Sequence, residues 1–268
     1  MINKKKTENA THINILSSVH RRSYIDVKKA KIGSILPTPV EEGFTLAEVL
    51  ITLSIVGVVA VLTIPSVMKN YRYKTYAASM KKVYSQLTDA VQAIMNDEMT
   101  TEFHKTTAGV KSSDTAGEEK GAYYFLHNYF KVAASCNDNL NTECLGSSYK
   151  TFTGTDAGSA FGESCIRTTN GATICMTLNP KNGITSVLID ANGPADPNIV
   201  GLDTFVTNIS GVDGSVTDWS SDETLCNKDS GAGNGHLADY ASGCLTQLMN
   251  NGWVIDDTKW TKTEEETE

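Results

Sequence analysis

The sequence predicts an α+β fold, in which a long amino-terminal helix packs against a small antiparallel β-sheet head with disulfides. Three observations lead to this fold class. Twenty residues without a charge run from Val49 to Met68, an apolar stripe with helical spacing follows them, and the strand signals and all six cysteines come later. A helix followed by several strands is the pattern of an α+β protein.

The uncharged run is long enough to cross a bilayer. At about 1.5 Å per helical residue, its length matches a hydrocarbon layer roughly 30 Å thick. A secretory signal has a shorter apolar core that ends at a small-residue cleavage site, whereas here Lys69 follows an unbroken run. The run therefore predicts a transmembrane helix, and ordinary signal cleavage after it is not expected.

The start of this run carries a specific motif. Gly43 is followed by Phe44-Thr-Leu-Ala-Glu48, and Pro65 lies inside the apolar run. Over roughly residues 43–84 this pattern resembles the cleavage and methylation segment of type IV prepilins and type II secretion pseudopilins. The resemblance implies that a prepilin peptidase cuts after Gly43, that the new amino terminus at Phe44 is methylated, and that the helix packs in the core of a filament. Residues 1–43 would then be a leader that is removed, longer than is usual in that family.

Glu48 is a carboxylate in a segment predicted to lie in lipid. Such a charge costs about 2.5 to 3.5 kcal/mol at the centre of a membrane helix and less near an interface, so a partner cation is expected. After cleavage, the Phe44 ammonium of a neighbouring subunit is such a cation, and the pair would set the axial register of one helix against the next. The alternative is that Glu48 reaches the lipid headgroups. Pro65 should kink the helix or let it melt locally.

The helix is predicted to continue beyond the membrane to about Asn96, because apolar residues recur at intervals of three and four. We therefore expect a transmembrane and stalk helix over residues 44–99 and an extracytoplasmic globular head over residues 100–268. The residues of the stripe are Tyr76, Met80, Val83, Leu87, Val91 and Ile94.

The cysteines form an even set on one side of the apolar run, which predicts disulfides in an oxidising compartment. The sequence-local pairing is expected, namely Cys136 with Cys144, Cys165 with Cys175, and Cys226 with Cys244. A three-residue hairpin loop at 169–171 would place Cys165 directly opposite Cys175. No two cysteines are spaced as C-x-x-C, so a zinc or redox site is the less favoured alternative.

The other elements of the head follow from local patterns. They are a short helix over Ala122–Ala134, strands over Tyr149–Thr153, Cys165–Leu178 (a hairpin), Ile184–Asp190 and Thr204–Ile209, a helix over Ala238–Met249, and a further strand at Trp253–Ile255.

One stretch of the head supplies candidate metal ligands. Calcium prefers six to eight oxygen ligands on a loop that curls around it. Asp190, Asn192, Asp196 and Asp203 offer such oxygens among glycines and prolines, and the resemblance extends to pseudopilins that hold calcium in a head loop. The same residue types also build consecutive turns without a metal. Calcium is therefore the one cofactor that we consider, and none is certain.

Two further features bear on function. The chain has no H-E-x-x-H, G-x-S-x-G or G-x-x-x-x-G-K motif, so no enzyme is expected. The predicted leader holds eight Lys/Arg and four Asp/Glu, so residues 44–268 carry a net charge of −12 instead of the −8 of the whole chain. Such a surface repels phosphates, and general nucleic-acid binding is not expected.

These observations and the resemblance predict a structural subunit of a type IV pilus or type II secretion pseudopilus. The precursor would cross the cytoplasmic (inner) membrane once, with an extracytoplasmic head, and would end in an extracellular or periplasmic filament. Its expected partners are a prepilin peptidase, other pilin or pseudopilin subunits and an inner-membrane assembly platform. The alternative is a minor pilin or membrane-tethered adhesin whose head binds a ligand.

Overall fold

The computed structural model describes residues 43–110, 120–136, 143–179, 184–227 and 236–256. The chain divides into two compact units, 1–53 and 54–268. The first helix, α1, spans Leu46–Asp97 and so contributes residues to both units. Helices and strands together give the α+β layout that the sequence predicts.

The other elements follow in chain order. The helices are α2 (Gly121–Tyr129), α3 (Leu237–Ala241) and α4 (Cys244–Asn250). The strands are β1 (Val132–Ser135), β2 (Tyr149–Lys150), β3 (Asp156–Gly158), β4 (Ser164–Thr168), β5 (Thr173–Asn179), β6 (Ile184–Asp190), β7 (Thr204–Ser210) and β8 (Val216–Asp218).

Six of these strands form one antiparallel sheet in the order β1-β4-β5-β6-β7-β8, and β2 pairs with β3 separately. From β4 to β8 each strand pairs with the next in the chain. Short connections favour such neighbours. The ends of β6 and β7 are therefore held side by side, with residues 191–203 forming the loop between them.

The predicted apolar stripe on α1 is confirmed over its carboxyl-terminal half. Met80, Val83, Leu87, Val91 and Ile94 are all buried and belong to one hydrophobic core with the inward-facing residues of the sheet, while Tyr76 is half-buried. Two hydrogen bonds add to this packing: Ser79 Oγ donates to the carbonyl of Ala191 at 2.9 Å, and Tyr84 Oη donates to that of Val216 at 3.0 Å.

The register of the β4–β5 hairpin is also as predicted. Cys165 lies directly opposite Cys175, and the N–H of Thr168 donates to the carbonyl of Ala172 at 2.8 Å, which leaves a three-residue loop. Gly171 closes the loop with φ 92°, a left-handed conformation that glycine adopts without strain.

The predicted helix over Ala122–Ala134 is too long. It ends at Tyr129, the backbone of Phe130 is extended (φ −122°, ψ 154°), and β1 begins at Val132. Pairing with β4 at the edge of the sheet gives β1 hydrogen bonds that the helical pattern of this segment does not reveal.

Two predictions near the carboxyl terminus are wrong. The helix over Ala238–Met249 is broken into α3 and α4, because Gly243 is left-handed at φ 78°. The segment Trp253–Ile255 is not a strand: Trp253 has φ 65°, and its ring packs against that of Tyr84 with centroids 5.7 Å apart. The strand over Tyr149–Thr153 is shorter than expected, ending at Lys150.

Candidate functional site

The predicted processing residues are exposed. Gly43 and Phe44 precede the first helical residue, and Phe44 is 89% exposed. Among the described residues, no atom outside the chain neighbours of Gly43 lies within 4 Å of the position where a side chain on Gly43 would begin. The peptide bond between these two residues is therefore accessible in the described part of the amino-terminal unit, as a cleavage site must be.

Glu48 takes part in a reciprocal cap at the start of α1. Its Oε2 accepts the backbone N–H and the hydroxyl of Thr45, both at 2.8 Å, and the N–H of Glu48 donates to Thr45 Oγ1 at 3.2 Å. This is a capping box, which satisfies N–H groups that a helix start leaves unpaired. The role of Thr45 was missed from the sequence, although the T-x-x-E spacing is a local signal for it. The carboxylate is consequently held toward the amino end of the helix, against the N–H of Thr45, the residue after Phe44.

The apolar side chains that precede the stalk are uncovered. In the larger unit, Val61 and Leu62 are each 73% exposed and Val67 is 63% exposed. By length and composition, α1 is the one helix in the described residues that could cross a membrane, and none of its most apolar stretch is buried. The helix continues through Pro65 without a break, so local melting at this proline is not observed.

All three disulfides form with the sequence-local pairing. Cys136 follows β1 and joins Cys144 ahead of β2, Cys165 joins Cys175 across β4 and β5, and Cys226 joins Cys244 at the start of α4. All six cysteines are buried. Each disulfide therefore closes a short stretch of the head, with its cysteines 8, 10 or 18 residues apart.

The candidate metal loop contains two buried carboxylates. Asp190 ends β6, Asp203 precedes β7, and both side chains are fully buried. Tyr149 Oη donates to Asp190 Oδ2 at 3.0 Å. The two oxygens of Asp203 accept the backbone N–H groups of Asn198 at 3.0 Å and Ile199 at 2.7 Å. The hydrogen bonds of these carboxylates thus stabilise the loop between β6 and β7.

Burial makes these acids hard to ionise. Burial raises the pKa of Asp203 to about 6. Burial and the nearby charge of Asp203 raise the pKa of Asp190 well above its ordinary value. The pKa of Tyr149 is raised by burial and by Asp190, so its hydroxyl remains a donor.

The structure brings together only part of the predicted calcium ligand set. Asp190 and Asp203 interact, Asn192 is half-buried, and Asp196 is exposed. Within the described ranges no group of three or more His, Cys, Asp or Glu side chains is placed to hold a metal. The Oδ1 atoms of Asn192 and Asn198 are buried and have no hydrogen-bond partner among the residues that the structure describes. Oxygen donors of this kind fit calcium, but the carboxylates already accept hydrogen bonds, and the calcium site stays a prediction.

Two residues that contact Asp190 or lie in the loop after it were not predicted from the sequence as site residues. Tyr149 lies 41 residues before Asp190, and nothing local in the sequence links the two. Asn198 is left-handed at φ 51°, and its amide packs against Gly146, where an added side chain would lie 2.6 Å from it. An asparagine in a Pro- and Gly-rich stretch was the available signal, since asparagine tolerates this conformation.

Two open grooves flank the carboxyl-terminal half of α1. One, of about 490 Å³, is lined by residues that include Lys82, Asp89, Lys131 and Asn170. The other, of about 570 Å³, is lined by residues of α1, β8 and α4 that include Tyr84, Val216, Asp218 and Met249.

The chain matches no model of a known protein family, no curated protein and no solved structure. The resemblance of residues 43–84 to prepilin segments therefore rests on the motif itself.

Proposed function

We propose that this protein is a structural subunit of a type IV pilus or type II secretion pseudopilus, cut after Gly43 by a prepilin peptidase and assembled by helix packing. The observation that carries the proposal is the segment from Gly43 to Met68. It combines an accessible Gly-Phe bond, a carboxylate five residues after Gly43 and an apolar helix whose large side chains are exposed in the part of the chain that the structure describes.

An apolar helix of this kind needs a partner. Each Å² of apolar surface left in water costs roughly 25 cal/mol, and Val61, Leu62 and Val67 are only a few of the side chains concerned. Lipid covers the helix in the inner-membrane precursor. The same side chains then pack against the helices of other subunits in the filament, because both environments are apolar.

The cap on Glu48 supports the pairing proposed for it. Thr45 holds the carboxylate at the amino end of α1, and we propose that a neighbour's Phe44 ammonium pairs with it there. Bringing these two charges together lowers the cost of each in an apolar filament core. A subunit that slides along its neighbour would separate them, so the pair would also set the subunit spacing.

The head supplies the outer surface of the filament under this proposal. Its buried disulfides suit an extracytoplasmic compartment. An inner-membrane assembly platform and other pilin or pseudopilin subunits are the proposed partners. No catalytic activity and no nucleic-acid partner are proposed.

Amino-terminal sequencing tests the processing step directly. When the full chain is expressed with a prepilin peptidase, we expect the product to begin at Phe44. Gly43→Leu should leave the leader intact. Gly57→Ala should be cut normally, because among the described residues nothing beyond the adjacent helix backbone lies within 4 Å of the added carbon. An intact leader on the unmodified chain would contradict the proposal.

A minor pilin or membrane-tethered adhesin is the second candidate. The groove of about 490 Å³ favours it, because Lys82, Asp89, Lys131 and Asn170 offer charges and an amide to a polar ligand. The two candidates differ in abundance. A main structural subunit should dominate sheared filaments, while a minor or adhesive subunit should be present in trace amounts and should confer binding to a surface.

A further inference from the structure

Cations and tyrosines alternate on α1 immediately after its apolar run. Residues 69–74 read Lys-Asn-Tyr-Arg-Tyr-Lys, and we call them the interfacial segment. They include three cations, two tyrosines and no acid. This composition stands out because residues 44–268 as a whole carry a net charge of −12.

The interfacial segment is largely exposed. Tyr71 is 67% exposed, Arg72 and Lys74 are also exposed, and Tyr73 is half-buried. The Nζ of Lys69 lies 5.4 Å from the centroid of the Tyr73 ring, a cation–π contact. Among the residues that the structure describes, Arg72 and Lys74 form no ion pair. The guanidinium of Arg72 and the ammonium of Lys74 are thus available to an anion.

The chemistry of this segment matches a membrane–water interface. Tyrosine is enriched there because its ring is apolar and its hydroxyl is polar, and long cationic side chains keep their stems in apolar surroundings with their charges in water. The position also matches. Six helical residues span about 8 Å, and each headgroup layer of a bilayer is roughly 5 to 8 Å thick.

We infer that the interfacial segment binds anionic phospholipid headgroups of the leaflet next to the head, with Arg72 and Lys74 contacting lipid phosphate. The inference rests on the proposed function, since it requires the apolar run to lie in a membrane. Negative headgroups attract juxtamembrane cations. The bound lipid would hold the precursor at a defined depth until it enters the filament.

Lys81 and Lys82 provide a matched comparison. They lie on the same helix, but about 10 Å beyond Lys74 at 1.5 Å per residue, and so beyond the headgroup layer. Lys81 lies over the ring of Trp253, 5.7 Å from its centroid, and Lys82 lines the groove of about 490 Å³. Removing this pair changes the net charge by the same amount as removing Arg72 and Lys74.

Spin-labelled lipids measure the preference directly. The full chain is reconstituted in phosphatidylcholine vesicles, and the motionally restricted fraction of spin-labelled phosphatidylglycerol is compared with that of spin-labelled phosphatidylcholine. We expect a preference of about threefold for phosphatidylglycerol at low salt, which high salt weakens by screening. The variant Arg72→Gln/Lys74→Gln should clearly lower the preference, and Lys81→Gln/Lys82→Gln should leave it at the wild-type value.

The outcomes separate this inference from the proposed function. Resistance of the reconstituted chain to alkaline extraction reports membrane insertion. If the chain is inserted but Arg72→Gln/Lys74→Gln retains the wild-type preference, the lipid inference is wrong and the proposed function stands. If that variant also loses cross-links between copies, the segment binds a neighbouring subunit instead of lipid. If the unmodified chain is extracted from the vesicles, both the inference and the proposed function are wrong.

Discussion

Glu48 and Thr45 are joined by three hydrogen bonds at the start of α1. Oε2 of Glu48 accepts both the N–H and the hydroxyl of Thr45 at 2.8 Å, and Thr45 Oγ1 accepts the N–H of Glu48 at 3.2 Å. The carboxylate therefore has a structural task within one chain, separate from the pairing proposed between chains. The two tasks depend on different properties of the side chain, hydrogen bonding for the first and charge for the second.

The first prediction separates these tasks by substitution. Glu48→Gln keeps an oxygen that can accept from Thr45 but removes the charge, and we expect it to abolish filament assembly. Thr45→Val removes the hydroxyl from the cap, at a cost of about 0.5 to 2 kcal/mol to the helix start, and we expect filaments still to form. Electron microscopy of sheared filaments measures both.

Amino-terminal sequencing serves as the control, because a variant that is not cut at Gly43 says nothing about pairing. Normal filaments with unchanged subunit spacing from a processed Glu48→Gln chain would rule out the charge pairing. Failure of the Thr45→Val chain to assemble would show that the cap itself is needed.

The second prediction concerns Gly201, which packs against a disulfide. It is left-handed at φ 79°, and an added Cβ would lie 3.0 Å from Cys226 Sγ and 3.2 Å from Cys244 Sγ. Gly201→Ala should lower the free energy of unfolding by about 1 to 2 kcal/mol for the backbone and by about 1 to 3 kcal/mol more for crowding. Denaturant titration of the full chain in detergent measures the loss.

Gly154 is the matched control for this substitution. It is left-handed at φ 84°, but among the described residues no atom outside its chain neighbours lies within 4 Å of an added Cβ. Gly154→Ala should therefore show the backbone cost alone. If both variants lose the same free energy of unfolding, the disulfide moves to accommodate the extra methyl group without a measurable cost.

The third prediction is a pH dependence set by Asp203. Its folded-state pKa is about 6, above its ordinary value of 3.8, so between these values the folded head holds a proton that the unfolded chain has released. The stability contributed by protonation is fully present below pH 4 and is lost as the pH rises to about 6, a difference of about 3 kcal/mol. Asp190 acts in the same direction. Melting temperatures of the full chain, measured with a chelator present, should rise as the pH falls from 7 to 4.

Two variants check the origin of this trend. Asp203→Asn cannot titrate and should weaken the dependence between pH 4 and 6, leaving the part that Asp190 contributes. Asp213→Asn should leave that window unchanged, because hydrogen bonds from Ser210 and Ser215 lower the pKa of Asp213 to about 2. The assignment of this pH dependence to Asp203 would be contradicted if, with the chelator present, the melting temperature of the wild-type chain fell on acidification and that of Asp203→Asn fell to the same degree.

Calcium in place of the chelator tests the predicted metal site in the same assay. The ion binds ionised carboxylates, so at Asp190 and Asp203 it would raise the melting temperature at pH 7 more than at pH 5. If calcium leaves the melting temperature unchanged at both pH 7 and pH 5, the predicted calcium site is wrong, and the oxygens of this loop have a structural role only.

The fourth prediction concerns Asp218, which caps α4 from a distant strand. Its Oδ2 accepts the N–H of Thr246 at 2.6 Å, and its Oδ1 accepts that of Gly243 at 3.1 Å. Asp218→Ala should lower the free energy of unfolding by about 1 to 2 kcal/mol, since buried N–H groups lose their acceptors. Denaturant titration again gives the value.

Thr246→Val provides the comparison for Asp218. It removes the hydrogen bond from Thr246 Oγ1 to the carbonyl of Ser220 at 3.0 Å but keeps the N–H that Asp218 accepts. We expect it to cost less than Asp218→Ala. A larger cost for Thr246→Val would place the stabilisation in the hydroxyl and not in the cap.

Several features of the fold could be predicted because their signals are local. The spacing of Met80, Val83 and Leu87 marks the buried face of α1 directly, since a helix repeats every 3.6 residues. The register of Cys165 against Cys175 follows from the length of one turn. The net charge, the length of the apolar run and the spacing of the cysteines can likewise be taken from the sequence without a structure.

The errors arose where distant partners override local preference. Residues 132–135 follow a helix but form β1, because β4 lies beside them in the folded chain. The break between α3 and α4 depends on Gly243 adopting a left-handed conformation. The chain has 21 glycines, and the sequence does not indicate which of them adopt this conformation. Asp218 and Thr246 lie 28 residues apart, and only folding makes them partners.

The sequence by itself determined the uncharged membrane-length run, the Gly43-to-Glu48 motif, the stripe on α1 and the pairing of the cysteines, because each is written in the order and spacing of nearby residues. The tertiary structure alone decided that Tyr149, Asp190 and Asp203 share one buried cluster. Burial and hydrogen-bond geometry depend on which groups meet in space. For Asp190 and Asp203 that meeting sets the pKa values, which the bare order of residues does not specify.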